Sequence, residues 1–441
     1  AGSIQVLQAN SSIRERILAM PKRVGANDRI RLGLIGTGIM GNEDLKTALK
    51  IAGVEFVAAC DLYKPRLERI RELYGNGIYT TVDYRELLAK KDIDAVIIGT
   101  ADLWHSRITI DALNAGKHVY CEKPMVKEIS QGHGVIDAAR KTGKVIQIGS
   151  QGISGLVHLK AKELFAAGEI GQLNSVEASI DRHSAMGAWQ YTMPEGATPE
   201  SVEWDRYVAG LPKQAFDAKK FFHWRNYRDF GTGASGDMFV HLLTALHMVT
   251  GSLGPKRIFC SGQLSQWKDG RDVPDVMNAI MEYPDSAEHS AFQVNLRLNF
   301  ASGIGEGFRM RFIGSEGAME LGDDVTITHD LLPKAPGIGN YDALGTYPKA
   351  MQETLLAAYH KKYTDADGVK PTRDPIRYKA PAGHDEHVEH FTNFFTAIRT
   401  GGKVVEDAVF GFRAAAPCLA CNDSYFQKKL MNWDPVNMKL V

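Results

Sequence analysis

Arg29-Ile30-Arg31-Leu32-Gly33-Leu34-Ile35-Gly36-Thr37-Gly38-Ile39-Met40-Gly41 decides the fold. An apolar run reads as a buried strand, and a GxGxxG turn follows it at once, ahead of a segment that can form a helix. A second apolar run, Val54 to Cys60, ends in Asp61, twenty residues past Gly41. A lone GxGxxG is weak, since it is often only a glycine-rich turn. Strand, glycine turn, helix and spaced acid in that order are what a dinucleotide-binding βαβ unit requires. Gly36 allows the tight turn, Gly38 admits the pyrophosphate to the backbone, and Gly41 lets helix and strand pack closely. Thr37, Ile39 and Met40 complete the loop, and the helix start offers N–H groups and a positive dipole to the phosphates. Asp61 can accept from the adenosine ribose hydroxyls and repels a 2′-phosphate, so the expected cofactor is NAD rather than NADP.

The alternation continues. Helices are expected at Pro65–Tyr74, Asp83–Ala89, Ser106–Ala115 and Ser130–Thr142, with strands at Ala95–Gly99, His118–Cys121 and Val145–Ile148. This pitch implies a parallel sheet covered on both faces, with ligands beyond the carboxyl ends of the strands. After about residue 150 the texture changes. A helix (Leu156–Ala167) precedes a strand (Ser175–His183), then come aromatic-rich loops, and then strands at Arg257–Gln263, Ala279–Tyr283, Gln293–Phe300 and Arg309–Gly314. Residues 323–382, rich in Pro, Gly and Asp, read as long surface loops, and Glu386–Thr400 as a closing amphipathic helix. The expected fold class is α/β plus α+β. Residues 1–28 form an N-terminal arm, 29–149 a doubly wound Rossmann domain, and 150–441 a substrate domain on a large, mostly antiparallel sheet.

Composition excludes several classes. Lys+Arg and Asp+Glu balance at 52 each, which gives no electrostatic case for nucleic acid or an anionic membrane. No apolar run approaches the roughly 20 residues of a membrane span. Five widely spaced cysteines suggest no disulfide framework. Cys418 and Cys421, on a helix-like stretch, read as core thiols.

Chemistry concentrates in two places. Cys121-Glu122-Lys123-Pro124 ends a strand at the cofactor rim, where a lysine near a nicotinamide could exchange a proton with a substrate hydroxyl. Gly231-Thr232-Gly233-Ala234-Ser235-Gly236-Asp237-Met238-Phe239-Val240-His241 places Asp237 and His241 four residues apart, on one helical face. Histidine suits alcohol oxidation, which must shed the hydroxyl proton. An aromatic and basic cluster just before this helix includes Trp224, Arg225 and Tyr227, and His183 ends a strand that can point the same way. Rings and polar groups of this kind suit a sugar. His384, His387 and His390 recur every three residues, but that spacing drifts around a helix, so no metal site is expected.

These motifs together resemble the glucose–fructose oxidoreductase/inositol dehydrogenase (Gfo/Idh/MocA) family. The resemblance rests on GTGIMG, strand-end Asp61, Gly99-Thr100-Ala101-Asp102-Leu103-Trp104-His105, Ala115 to Pro124, and GTGASGDMFVH. It implies Lys123, Asp237 and His241 as catalytic residues and a cis bond before Pro124. It adds Thr100, His105, Glu122 and Gln151 to the cofactor site, and His183, Trp224, Arg225 and Tyr227 to the substrate site. The family often has Gly where this chain has Phe239, and sugar-oxidising members often have Asp where it has Thr244, so the resemblance does not fix the substrate. Phe221 to Tyr227 looks like exported bacterial members, so a periplasmic location is expected, with the cytoplasm as alternative. A homodimer or homotetramer is implied by pairing of the exposed sheet face. The implied activity is hydride transfer from a sugar, glycoside or polyol hydroxyl to NAD. The alternatives are a glycosidase or epimerase that recycles bound NAD, and a non-catalytic NAD/sugar sensor.

Overall fold

A computed structural model describes residues 29–441, together with Gly25 and the backbone of Gln5–Val6. The expected arm, residues 1–28, otherwise lies outside the described residues. Strand β1 is Gln5–Val6, and β2 (Ile30–Ile35), β3 (Val54–Cys60), β4 (Tyr79–Thr81), β5 (Ala95–Ile98), β6 (His118–Glu122) and β7 (Ile146–Gly149) follow. Strands β2 to β7 form one six-stranded sheet in the order β4-β3-β2-β5-β6-β7, parallel throughout. The reversal of strand order between β2 and β5 opens the crevice where ligands bind in such sheets.

The glycine turn forms this crevice by excluding side chains. A Cβ on Gly41 would lie 2.0 Å from the Gly36 carbonyl oxygen. Gly36, at φ +90°, would drive a Cβ to 2.6 Å from the Gly99 backbone. Gly36, Gly41 and Gly99 therefore pack backbone to backbone and carry helix Ile39–Ala48 against the ends of β2 and β5. At Gly38 a Cβ would meet nothing nearer than Arg66 Nη1 at 3.8 Å, because this position faces the open crevice.

The second sheet comprises β8 (Leu173–Asp181), β9 (Arg257–Gln263), β10 (Val276–Tyr283), β11 (Phe292–Asn299), β12 (Gly307–Gly314), β13 (Gly317–Leu321), β14 (Asp324–His329), β15 (Ile376–Lys379), β16 (Met431–Asp434) and β17 (Lys439–Leu440), with β1 at one edge. Its order is β1-β15-β14-β13-β12-β8-β11-β10-β9-β16-β17, antiparallel except at β8–β11 and β1–β15. Alternation along β10 buries Met277, Ala279 and Met281 beneath helices Leu156–Ala166, Val240–Thr250 and Ala408–Gln427. Cys418 and Cys421 are buried in that last helix as free thiols.

Residues 323–382 differ from the expected loops. They contain β14, β15 and a helix, Lys349–Lys362, none of whose residues is buried. Turn-forming residues flank these elements closely and the helix buries no residue, so composition masks them, although Val325 and Ile327 alternate along β14 as a half-buried strand requires. The amphipathic helix forms as expected at Glu386–Thr400, but it does not close the chain, since Ala408–Gln427 follows, and it packs on the first sheet. Phe391, Phe394 and Phe395 share a core with Ile30, Leu32, Leu34 and Tyr120, and Phe391 stacks on Tyr120 at 4.2 Å.

Because Gly41 touches Gly36 directly, Gly41→Ala is expected to destabilise the fold by about 1–3 kcal/mol through overpacking and to weaken nucleotide binding. Calorimetric unfolding together with an NAD titration checks both effects.

Candidate active site

One cleft of about 500 Å³ runs from the glycine turn to the start of helix Val240–Thr250. Gly36, Gly38, Ile39, Met40, Asp61, Thr100, His105, Glu122 and Gln151 line it, and so do Lys123, Asp237, His241, Trp224 and Arg225. Thr37 and Gly41 do not. Thr37 is turned under the loop, where its N–H and Oγ1 donate to Asp61 Oδ2 at 2.7 and 3.0 Å. Gly41 is spent on the contact with Gly36.

Asp61 stands at the carboxyl end of β3, fixed by Thr37 and by the Tyr63 N–H, which donates to Oδ1 at 2.8 Å. Arg66 lies 3.7 Å from its Oδ2. The His105 ring sits between two carbonyls, Pro124 O at 2.8 Å and Thr100 O at 3.2 Å, and so ties two rim loops together. Gln151 Nε2 donates to Glu122 Oε1 at 2.6 Å and to the Tyr120 hydroxyl at 2.9 Å. Burial pushes the Glu122 carboxyl up to about 7. The residues present fit a dinucleotide: a side-chain-free cradle, a helix start with no side-chain cap, and a carboxylate at the end of the next strand that lines the same cleft.

The second half of the chain closes over this rim. Trp104 Nε1 donates to Tyr207 O at 3.1 Å, and Leu103 N to Phe230 O at 3.0 Å. Arg206 pairs with Asp83 at 2.7 Å, Lys64 pairs with Glu203 at 2.7 Å, and Tyr63 meets Phe222 edge-on at 5.1 Å. These contacts bring the aromatic cluster into register with the cofactor loops.

At the far end of the cleft the peptide bond between Lys123 and Pro124 is cis, as the resemblance implied. Lys123 Nζ donates to Asp237 Oδ1 at 3.0 Å and to Asp237 O at 2.9 Å. Arg225 Nε reaches the same Oδ1 at 3.3 Å, with its guanidinium over the Trp224 ring at 4.2 Å. The Lys123 and Asp237 side chains are only 10% and 5% exposed. Although burial alone would raise the Asp237 carboxyl, Lys123 and Arg225 outweigh it and hold the group far below the ordinary carboxylate range. Burial, reinforced by the Lys123 ammonium, lowers His241 to about 3, so its ring is neutral.

The segment bearing Asp237 is not the single α-helix expected. Ser235–Phe239 is a π-turn that runs into α-helix Val240–Thr250. Gly236, where a Cβ would lie 2.2 Å from Thr232 Cβ, allows this tight approach. Such turns are frequent at functional sites. Phe239, Leu242, Leu243, Leu246 and Val249 all turn into the core.

Two expected substrate residues lie elsewhere. His183 is exposed, its backbone N–H donating to Glu306 at 3.0 Å, and Tyr227 does not line the cleft. The strand expected to run to His183 ends at Asp181, so both residues lie in the loop after β8, where Arg182 takes the inward position. Trp189 and Tyr191 also line the cleft. Of the three spaced histidines, only His387 does. His390 is buried between Ser154 Oγ (2.7 Å) and Ile148 O (2.8 Å), and His384 accepts from Leu156 N.

Two family models match this chain. Residues 30–150 match the one described as an oxidoreductase family with NAD-binding Rossmann fold, and residues 198–320 match the GFO/IDH/MocA C-terminal domain. The chain belongs to the Gfo/Idh/MocA oxidoreductase family. Similar curated proteins include inositol 2-dehydrogenase of Salmonella typhimurium, 33% identical over 175 residues, covering 39% of this chain and 50% of the relative. A glycosyl hydrolase family 109 protein of a Shewanella species is 32% identical over 158 residues, 34% of each chain. The chain thus spans half or less of the length of these relatives. Among solved structures, an aldose-aldose oxidoreductase from Caulobacter crescentus, crystallised with glycerol, superposes with TM-score 0.62 at 17% identity over 92% of this chain and 99% of that one. The family's cofactor is NAD, and the Rossmann half of this member carries the cradle for it. No described helix is long and apolar enough to cross a membrane.

Burial also sets the pH response of the fold. His118, His158, His241, His247 and His390 are held down to about 3 or 4, so below about 6.5 the unfolded chain takes up protons that the fold refuses, and stability falls as pH falls. Glu122, at about 7, and Glu406, at about 8, act the other way: the fold holds protons that the unfolded chain has released, and that stability is lost as pH rises through 7 and 8. Asp44 and Asp102 are raised as well, but the histidines outnumber the acids below 6.5. At about pH 6.5 the unfolded histidines are only half protonated while the raised acids still hold their protons in the fold, so the melting temperature is expected to peak near about pH 6. Calorimetry from pH 4.5 to 9 checks this, and a steady rise to pH 9 would contradict it.

Proposed function

We propose that the protein is an NAD-dependent oxidoreductase acting on a hydroxyl of a sugar, glycoside or polyol, with Lys123, Asp237 and His241 as its catalytic residues. The reading is carried by the Lys123–Asp237 pair, at 3.0 Å, which stands beside neutral His241 in the cleft that also holds the glycine turn. NAD, when bound, supplies the hydride acceptor.

An ammonium has three N–H groups. Two of those on Lys123 are engaged by Asp237 O and Oδ1, which leaves one to donate to the reacting oxygen. That donation lowers the basicity of a substrate hydroxyl and favours loss of its proton. The neutral imidazole of His241 accepts the proton. Asp237, clamped by Lys123 and Arg225, fixes the direction of the ammonium and offsets its charge, and so acts by positioning. The flat face of Trp224 offers a stacking surface for an apolar sugar face. Enclosure by residues 199–230 excludes water from the reacting centre, where alignment supplies much of the rate. In-register Ile280 and Phe259, both exposed on the second sheet, support the homo-oligomer expected from the sequence.

Lys123→Ala is expected to lower kcat by about 10²–10⁴-fold, with NAD affinity retained and the fold intact by calorimetry. Unchanged turnover would remove the lysine from the mechanism. With His241 neutral down to about 3, kcat/KM should stay flat on its acid side to about pH 5. An inflection near the ordinary histidine value would show that His241 is not held down in the free enzyme, and one that persists in His241→Asn would exclude His241 as its source. Stoichiometric NADH release, followed by absorbance across a panel of sugars and polyols, tests the net reaction.

A further inference from the structure

The substrate end of the cleft holds more positive charge than its acids engage. Lys123 and the Arg225 Nε share the Asp237 carboxylate. The two other acids lining this end are turned to neutral donors. Asp102 Oδ2 accepts from Thr232 N and Oγ1 at 2.9 and 2.7 Å, and Glu122 accepts from Gln151. Glu306, on the rim, accepts from the His183 N–H.

Arg182 is the cation least engaged. Its Nη1 donates to a neutral carbonyl, Gly187 O, at 2.9 Å, and among the described residues no carboxylate lies within ion-pair distance of it, although Glu306 is near enough for the two charges to attract. The guanidinium is backed by the Phe300 ring at 5.7 Å and faces the cleft. Arg225, backed by Trp224, likewise spends only Nε on Asp237, and its two terminal nitrogens have no partner among the described residues. Both arginines line the cleft together with Lys123 and His241. Two guanidinium forks, each held by an aromatic ring with unused N–H groups in a partly desolvated pocket, match the geometry of a carboxylate or phosphate. A neutral polyol would leave those charges uncompensated.

We infer that the substrate is an anionic sugar, whose carboxylate or phosphate seats on Arg182 and the outer edge of Arg225 while its reacting hydroxyl meets Lys123 and His241. This rests on the site reading above and narrows its substrate class. It also gives Arg182 a role in specificity.

The test compares matched pairs on the NADH-loaded protein by titration calorimetry, and on the NAD-loaded protein by absorbance. D-glucuronate and D-glucose 6-phosphate are set against D-glucose, and D-galacturonate and D-galactose 6-phosphate against D-galactose. In at least one configuration an anionic member should bind about tenfold or more tightly than its neutral partner, and the uronate and phosphate arms separate the two anions. Arg182→Gln should collapse that ratio, while Arg182→Lys, which keeps the charge and loses the fork, should retain part of it. Unfolding curves confirm that both variants fold. No preference in any pair, no binding at all, or a preference that survives Arg182→Gln overturns the inference. Anion-selective binding without NADH formation would retire the dehydrogenase reading and leave this inference standing. NADH formation from neutral sugars without anion preference would do the reverse.

Discussion

The site depends on one buried carboxylate. Asp237 comes from the second half of the chain and Lys123 from the first, and the 3.0 Å contact between them joins the two. Neither charge could stay buried alone. An unpartnered ammonium or carboxylate at this depth costs several kcal/mol, so the geometry that places the lysine over the cleft is also the geometry that makes its burial tolerable. Arg225 adds a second cation to the same oxygen, which keeps the carboxylate ionised and leaves His241 as the neutral group in a charged setting. The division of labour between a fixed ammonium and a proton-accepting imidazole follows from that arrangement of charge.

The surrounding architecture holds the pair in place. The glycine contacts at Gly36, Gly41 and Gly99 fix one wall of the cleft, and the second wall is brought across by Trp104, Leu103, Asp83 and Lys64, each bonded to residues between 203 and 230. The π-turn at Ser235–Phe239 sets the angle at which Asp237 approaches. Its glycine at 236 has no room for a side chain, so the local sequence GTGASG is explained by packing as much as by any ligand.

Much of this was legible in the chain. Strong periodicity and glycine spacing located the parallel sheet, the nucleotide turn and Asp61, because those features depend on neighbours close in sequence. Lys123, Asp237 and His241 were found by motif, and the structure brings them into one cleft. What the sequence could not supply was direction. The strand before His183 stops at Asp181, and the loop that follows turns Arg182 rather than His183 into the site. Thr37 reads as a phosphate-loop residue but is bonded beneath the loop to Asp61, a contact between residues 24 apart. The strands β14 and β15 went unseen because each is short and sits among turn-formers. The destination of the helix Glu386–Thr400 depends on a face formed by residues 30–34 and 120, far earlier in the chain.

That destination bears on how the protein is made. Leu32, Leu34 and Tyr120 belong to the nucleotide-binding sheet, yet the aromatic rings that cover them come from Phe391, Phe394 and Phe395. A ribosome working from the amino end lays down the whole parallel sheet long before its lid of phenylalanines exists. Until the last fifty or so residues emerge, the part of that side which helix Ile39–Ala48 leaves uncovered presents bare apolar surface, the kind of surface that chaperones recognise and aggregation exploits. The cofactor half is begun first and finished last.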